Sequence, residues 1–127
     1  MSEDLSYYIA ECEIDTYKNT VCEGGGLYTT TDKIFLPGRV EMFMPKEGAD
    51  NGIVWEYYKQ GSRYDVPNID EDPIRIKGIN GGAGTYWWLR SPYVGNANIV
   101  RLVSPTGATS TNSANFSNGV APAFVIA

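Results

Sequence analysis

Two adjacent tryptophans, Trp87 and Trp88, limit how this chain folds. They stand in residues 85–92, TYWWLRSP, and a segment so rich in aromatic side chains is typical of a β-strand. Neighbouring residues of a strand point to opposite faces of its sheet. We therefore predict that one tryptophan lies in the core, while the other is partly exposed or covered by a loop. Arg90 follows them, and because a buried unpaired charge is costly, we expect it to bond backbone carbonyl groups or an acidic side chain.

The segments that follow the tryptophans predict further strands. Alternation in residues 98–103 places Ile99, Arg101 and Val103 on one face of a strand. The serine, proline and glycine that come next are typical of a turn. Residues 119–127 are mostly apolar and predict a closing strand.

Short elements are also predicted ahead of the tryptophans. Residues 34–36 are apolar and predict a strand that ends at Pro37. Val40, Phe43 and Met44 then follow the spacing of one face of a short helix. The chain therefore changes from strand to helix within about ten residues, which is typical of a small mixed domain.

The remaining first half is less regular. Residues 51–63 predict a second short helix or a strand with Gly61 as its C-cap, and residues 65–84 predict a loop. Residues 1–30 are ambiguous between strand and loop, and their role is uncertain. With 127 residues, 14 glycines and 7 prolines, we predict a single α+β domain, 1–127, with short strands dominating its second half.

Charge is unevenly distributed along the chain. Residues 1–77 hold all 15 acidic residues, and residues 78–127 hold no charged side chains except Arg90 and Arg101. A nucleic-acid-binding protein normally shows a basic stripe, so no nucleic-acid partner is expected. No apolar run approaches 18 residues and no signal peptide is recognised, so we expect no membrane insertion.

Missing residue types exclude several kinds of site. The chain has no histidine, which excludes a Ser-His-Asp triad, a Cys-His pair and a zinc site with histidine ligands. Its two cysteines, Cys12 and Cys22, cannot form a closed zinc site, and both a disulfide and two free thiols remain open. Glu41 and Glu56 would suit acid–base catalysis, but no pattern singles them out. We expect no cofactor, no metal and no enzymatic activity.

One acidic run raises the question of calcium. It comprises Asp65, Asp70, Glu71 and Asp72, and carboxylates are the ligands that calcium prefers. The spacing matches no EF-hand loop. A solvated acidic loop is the favoured interpretation.

Residues 93–119 carry no acidic side chain and are rich in small polar ones. Fifteen of these 27 residues are Asn, Ser, Thr or Gly, including five of the nine asparagines in the chain. Such residues favour turns, so a merely loop-rich stretch is the alternative. Apolar strands are predicted on both sides, so we favour an ordered, displayed surface with adaptable hydrogen-bonding groups and contact area from Tyr93, Ile99 and Phe116.

Several motifs resemble, in order, those of a widespread family with the C-type lectin fold. They are DKIFLPGRVEMF, WEYYKQGSR, YWWLRSP and GVAPAF, and together they span about residues 32–127. The resemblance implies a C-type-lectin-like fold of short antiparallel strands with two short helices. A faint similarity to the formylglycine-generating enzymes is also present, but the cysteine pair that their active site needs is missing. The acidic and amide triplets of calcium-dependent sugar-binding lectins are missing as well.

Within that fold, the chain most resembles the variable proteins of diversity-generating retroelements. In these systems, a reverse transcriptase copies a template with adenine-directed errors, and the copy replaces the 3′ end of the gene. Asparagine codons scattered in this way cannot yield Lys, Glu, Gln, Met or Trp, and residues 93–119 contain none of the five. The resemblance therefore implies a hypervariable ligand-binding surface in residues 93–119 and a phage or archaeal source.

The resemblance assigns roles to individual residues. The candidate variable, ligand-binding positions are Tyr93, Asn96, Asn98, Ile99, Arg101, Ser104, Thr109, Thr111, Asn112, Ser113, Asn115, Phe116 and Asn118. The candidate scaffold positions are Trp87, Trp88, Arg90, Pro92, Gly119 and Pro122. The variable positions are expected to be those whose side chains alternate outward.

The implied function is recognition of a protein or other surface molecule on a host or partner cell. The implied location is the extracellular surface, either of a cell or of a virion tail tip. A fixed, non-diversified adhesin or lectin-like module of the same fold is the alternative. The ligand, the host and the oligomeric state are left open by the sequence.

Overall fold

A computed structural model describes residues 8–59 and 72–126 of the chain. In these ranges, two antiparallel sheets account for all the strands, with orders β1-β2 and β3-β4-β5. The strands are β1 (Cys12–Tyr17), β2 (Leu27–Asp32), β3 (Trp87–Pro92), β4 (Ile99–Val103) and β5 (Thr109–Ser113). The helical elements are α1 (Glu56–Lys59) and the 3-10 turns Val40–Met42, Pro73–Arg75 and Ile79–Gly81. These strands and helical turns confirm the predicted α+β class.

Strands β1 and β2 form a hairpin in the region that was ambiguous from sequence. Three successive glycines, residues 24–26, connect the strands with φ of 78°, 71° and 78°, a left-handed conformation that only glycine adopts readily. Ile14, Thr16 and Tyr17 of β1 are buried, whereas β2 is almost entirely exposed. One strand of the hairpin thus packs on the domain, and its partner covers the outer edge.

The aromatic strand β3 confirms the prediction made for the two tryptophans. Trp87 is 1% exposed and belongs to the main core, while Trp88 is half-buried. The Trp87 indole N–H donates to the Arg75 carbonyl oxygen at 3.0 Å, so its polar edge is satisfied inside the protein. The buried residues of this core are Met42, Phe43, Met44, Tyr58, Trp87, Leu89 and Val103.

Arg90 also behaves as predicted and joins the two sheets. Its guanidinium donates to the carbonyl oxygens of Leu36 at 2.9 Å and Asp15 at 3.1 Å, and to the hydroxyl of Thr16 at 3.1 Å. It also forms an ion pair with Glu41. Every one of these partners belongs to the first half of the chain, so Arg90 fixes β1 and the 36–41 segment against β3.

The predictions of strands in two segments are wrong, because neither segment forms a regular strand. In residues 34–36 and 119–126, pairing is limited to isolated bridges, such as Phe35 with Ala123. These apolar segments fill space beside the sheets, and each pairs over a single residue at a time. The helix that was predicted to contain Val40, Phe43 and Met44 is only the 3-10 turn Val40–Met42. Phe43 takes a left-handed conformation with φ 59°, which ends the turn.

The polar strand β5 was not predicted from sequence. Thr109–Ser113 pairs antiparallel with β4 across all five residues, and Ser104 N–H donates to the Ala108 carbonyl oxygen at 2.9 Å in the intervening turn. Gly107 has φ 86° in this turn and lies against the backbone of Asp72. The predicted turn at 104–108 is therefore confirmed.

The acidic run is only partly within the described ranges. Asp72 is fully buried beside Arg75, so the prediction of a solvated loop is wrong for this residue. Asp65, Asp70, Glu71 and the proposed C-cap Gly61 lie outside the described residues. Over the described ranges, no cluster of three potential metal-ligating side chains occurs, and no helix is long and apolar enough to cross a membrane. Cys12 and Cys22 are free thiols.

Candidate ligand-binding surface

The β4–β5 hairpin brings two polar segments together at its open end. Tyr93 N–H donates to the Ile99 carbonyl oxygen at 3.0 Å, which folds the 93–98 loop back on β4. Ala114 N–H donates to the Asn98 carbonyl oxygen at 2.9 Å. The loop before β4 and the turn after β5 therefore form one surface, held by backbone hydrogen bonds that do not depend on side-chain identity.

A groove of about 450 Å³ lies between these two segments. Its lining residues are Ala97, Asn98, Ser113, Ala114 and Asn115, and none of them carries a charge. Amide and hydroxyl groups both donate and accept hydrogen bonds, so the groove suits a neutral polar ligand group. We call it the hairpin groove.

Exposed aromatic side chains lie in the same two segments. Tyr93 is 36% exposed and Phe116 is 58% exposed. Large rings add contact area at a low cost in conformational entropy, which is why they are favoured in binding surfaces. The Tyr93 ring also packs against Arg101, whose Cζ is 4.5 Å from the ring centroid.

The thirteen candidate variable positions differ in exposure. Five are exposed: Tyr93, Asn98, Thr111, Asn115 and Phe116. Eight are half-buried: Asn96, Ile99, Arg101, Ser104, Thr109, Asn112, Ser113 and Asn118. The structure gathers Asn98, Ser113 and Asn115 at the hairpin groove, while Ser104 and Thr109 lie at the opposite end of the hairpin.

Not all of the candidate positions point outward, because one face of the hairpin is covered. The pairs Arg101–Thr111 and Val103–Thr109 share a face, and Val103 is fully buried. Arg39 reaches the same face and donates from Nη1 to the Thr109 hydroxyl at 3.1 Å. Asn112 pairs with Val100 on the opposite face. Thr109 and Arg101 are thus tied to the first half of the chain rather than freely displayed.

Glu47 is the centre of this attachment, and sequence analysis did not identify it. Arg101 donates to its carboxylate from Nε at 2.8 Å and from Nη2 at 2.9 Å, and Val94 N–H donates at 3.0 Å. The Tyr17 hydroxyl lies 3.0 Å from the same carboxylate and 2.7 Å from the Pro92 carbonyl oxygen. No sequence motif connects these residues, which come from four separate segments.

The electrostatics of the cluster follow from burial and hydrogen bonding. Burial raises the pKa of Glu47, but the hydrogen bonds from Arg101, Val94 and Tyr17 outweigh it and hold that pKa below its ordinary value. Burial, and then the Glu47 charge, raise the pKa of Tyr17. Glu47 is therefore ionised and Tyr17 neutral around pH 7, so both act as fixed hydrogen-bonding groups.

Four of the six candidate scaffold positions lie in β3, and the other two, Gly119 and Pro122, follow β5 in the chain. Trp87 forms an isolated parallel β-bridge with Gly119, and the Gly119 N–H donates to the Tyr86 carbonyl oxygen at 2.8 Å. Pro92 ends β3, and Pro122 lines a separate apolar cleft. The Nδ2 atom of Asn118 is buried without a hydrogen-bond partner among the described residues.

The chain belongs to the family described as Domain of unknown function (DUF6273), whose model matches residues 1–127. Searches of curated proteins and of solved structures returned no match.

Proposed function

We propose that this protein is a ligand-binding display module whose C-terminal hairpin presents the binding surface. The hairpin groove is the observation that carries the proposal. Small uncharged side chains from two segments line it, and the exposed rings of Tyr93 and Phe116 belong to the same two segments. Concave sites with a few convergent polar groups are typical of ligand binding.

The surface suits recognition without long-range charge steering. Residues 93–119 contain one charged side chain, Arg101, and its charge is compensated by Glu47. Affinity would therefore come from hydrogen bonds of amides and hydroxyls and from aromatic contact area. The proposed partner is a protein or other surface molecule on a host or partner cell, and the proposed location is the surface of a cell or a virion tail tip.

We further propose that a retroelement diversifies this surface. The frame of the hairpin is made by backbone hydrogen bonds, such as Ala114 N–H to the Asn98 carbonyl oxygen, so side chains at exposed positions can change without loss of the frame. Exposed substitutions usually change the free energy of unfolding by less than about 0.5 kcal/mol. Thr111, Asn115 and Phe116 meet that condition.

A C-type-lectin-like scaffold is the fold that we propose to support this display. What favours it is the small α+β architecture together with the Trp-Leu-Arg-Ser-Pro motif, whose Leu89 belongs to the core. Residues 88–92 of that motif lie in β3, and Arg90 fastens β3 to β1. A solved structure of this domain would test the scaffold independently of the ligand.

Deep sequencing of the 3′ end of this gene in its natural population tests the diversification. We expect substitutions to cluster at the exposed positions Tyr93, Asn98, Thr111, Asn115 and Phe116, each matching an adenine in a near-identical template repeat. Codons for the core residues Trp87 and Leu102 serve as the internal control and should not vary. A uniform 3′ end without a template repeat would overturn diversification and leave the fixed binding module.

A further inference from the structure

A second concave surface lies away from the hairpin groove. It consists of two adjoining clefts of about 580 and 410 Å³, which share Ile14, Glu41 and Trp55 in their linings. Neither cleft is lined by any of the candidate variable positions. We call the point where the clefts meet the Glu41 junction.

Glu41 presents one unpaired oxygen at this junction. The residue is 9% exposed, and its Oε1 atom accepts hydrogen bonds from Gly38 N–H at 2.7 Å and from Arg90. Its Oε2 atom accepts no hydrogen bond from any part of the chain that the structure describes, and Glu41 lines both clefts. The side chain is largely buried, and a hydrogen bond to a charged group is stronger than one between neutral groups, so a donor from outside the chain would be stabilising here.

Arg90 is already occupied and does not supply this donor. Its Nε and Nη atoms donate to Thr16, Leu36, Asp15 and the Oε1 atom of Glu41. The ion pair therefore orients Glu41 through one oxygen and leaves the second oxygen for another group. This arrangement positions an acceptor rigidly, which lowers the entropy lost when a ligand binds.

Aromatic and apolar side chains form the walls of the larger cleft. Phe35 and Trp55 pack edge to face with ring centroids 6.3 Å apart, and Ile14 lies beside them. Phe124 and Val125 close the other side and are both partly exposed. Such walls favour an apolar ligand body, and a tryptophan face also attracts cations.

The charged residues of the smaller cleft favour a positively charged ligand. Among the described residues, Glu13, Asp15 and Glu41 line it together with one cation, Arg90. The excess of carboxylates repels an anion and attracts a cation. An ammonium group has three donors and no acceptor, which fits the unpaired oxygen.

We propose that the Glu41 junction binds a small organic amine, with its ammonium group donating to Glu41 Oε2 and its apolar body against Phe35 and Trp55. The volumes of both clefts lie within the range of small-molecule sites. This site is independent of the hairpin groove and of its proposed diversification. It gives the part of the domain outside the candidate variable positions a binding function of its own.

Titration of the full chain with 2-phenylethylamine, followed by NMR, tests the proposal. The matched probes are 2-phenylethanol, which lacks the charge, and phenylacetate, which reverses it. We expect saturable shifts of the Trp55 indole N–H and the Gly38 amide with the amine, and binding weaker by about tenfold or more with either matched probe. Equal binding of the three probes, or no saturable shift at these two groups, would overturn the proposal.

Variants separate the contribution of the Glu41 charge from that of the aromatic wall of the cleft. Glu41→Gln should weaken amine binding about tenfold, and Trp55→Leu should weaken the amine and the alcohol alike. Glu56→Gln is the control, because Glu56 is exposed and lines neither cleft. If Glu41→Gln fails to fold, Trp55→Leu and the shift map decide the question. Unchanged amine affinity in Trp55→Leu, or a shift map centred on the hairpin groove, would contradict the assignment.

Discussion

Arg101 and Glu47 are 54 positions apart in the chain, yet two parallel hydrogen bonds of 2.8 and 2.9 Å join the guanidinium to the carboxylate. The pair is largely buried, with side chains 16% and 10% exposed. Because Glu47 also accepts the Val94 N–H, it fastens both β4 and the loop that begins at Tyr93. An ion pair therefore fixes the proposed binding surface to the first half of the chain.

Arg101→Ala should reduce the free energy of unfolding by about 1–3 kcal/mol, because Glu47 loses its main donor but keeps Arg39 at 3.8 Å and the Val94 N–H. Urea unfolding followed by tryptophan fluorescence measures the change. Thr111→Ala is the matched control, since Thr111 lies opposite Arg101 on β5 and is exposed, and it should change stability by less than about 0.5 kcal/mol. Equal effects of the two substitutions, or free replacement of Arg101 in natural variants, would contradict the structural role of this pair.

Stability should fall in acid because of Glu47. Its pKa in the folded state lies below the ordinary value of 4.5, so the stabilisation is fully present above that pH and is lost as the pH falls through the lowered pKa. Glu47→Gln should lower stability at pH 7 and flatten the loss between neutral pH and acid. Glu56→Gln, at an exposed position on α1, should keep the acid dependence of the parent protein. Urea midpoints across pH 3–7 provide the comparison.

Substitutions at Gly107 and Gly81 separate two costs of adding a side chain, which are backbone strain and steric collision. Both have positive φ, 86° and 74°, but a Cβ at 107 would collide with the Asp72 carbonyl oxygen, whereas nothing lies within 4 Å at 81. Gly81→Ala should cost about 1–2 kcal/mol for the left-handed backbone alone. Gly107→Ala should cost clearly more, since the β4–β5 turn must also move away from Asp72. Thermal unfolding of both variants measures the difference, and equal melting temperatures would refute the close contact.

The two tryptophans should differ in their effect on stability. Trp87→Ala removes a fully buried ring and an indole hydrogen bond, so it should cost about 3–5 kcal/mol or prevent folding. Trp88→Ala removes a half-buried ring and should cost distinctly less. Chemical denaturation of the pair, with Trp87→Phe as a milder variant, measures the order. The reverse order would show that the sheet presents its opposite face to the core.

Both cysteines should react as free thiols. Cys22 is exposed and Cys12 is half-buried, so a maleimide should label Cys22 first and Cys12 more slowly. Reducing agent should leave the melting temperature unchanged. A mass decrease consistent with a disulfide, or a lower melting temperature after reduction, would contradict this assignment.

Local patterns predicted part of the fold correctly. Alternation within β3 separates Trp87 from Trp88 because the direction of a side chain on a strand depends only on its position in the pleat. The turn at Gly107 was recognisable because its residues restrict the backbone themselves. The partners of Arg90 were predicted by type, since a buried guanidinium needs carbonyl or carboxylate oxygens wherever it lies.

The strand β5 shows where local patterns fail. Thr109–Ser113 contains small polar residues and no apolar alternation, so it resembles a loop in sequence. It is a strand because β4 offers a row of backbone partners, and the turn at Gly107 sets the register. The apolar residues 119–126 show the converse, since their neighbours allow only isolated bridges.

Residue types and short spacings were enough to predict the α+β class, the buried tryptophan, the polar character of residues 93–119 and the absence of histidine chemistry. These properties depend on residue types and on spacings of a few positions. Which polar residues are displayed depends on tertiary contacts, because Glu47 and Arg39 cover part of one face of the hairpin from a distant part of the chain. The position of Glu41 in the lining of two clefts depends on tertiary contacts as well. Contacts between residues some 50 positions apart follow from how the two sheets pack, and no local spacing encodes that packing.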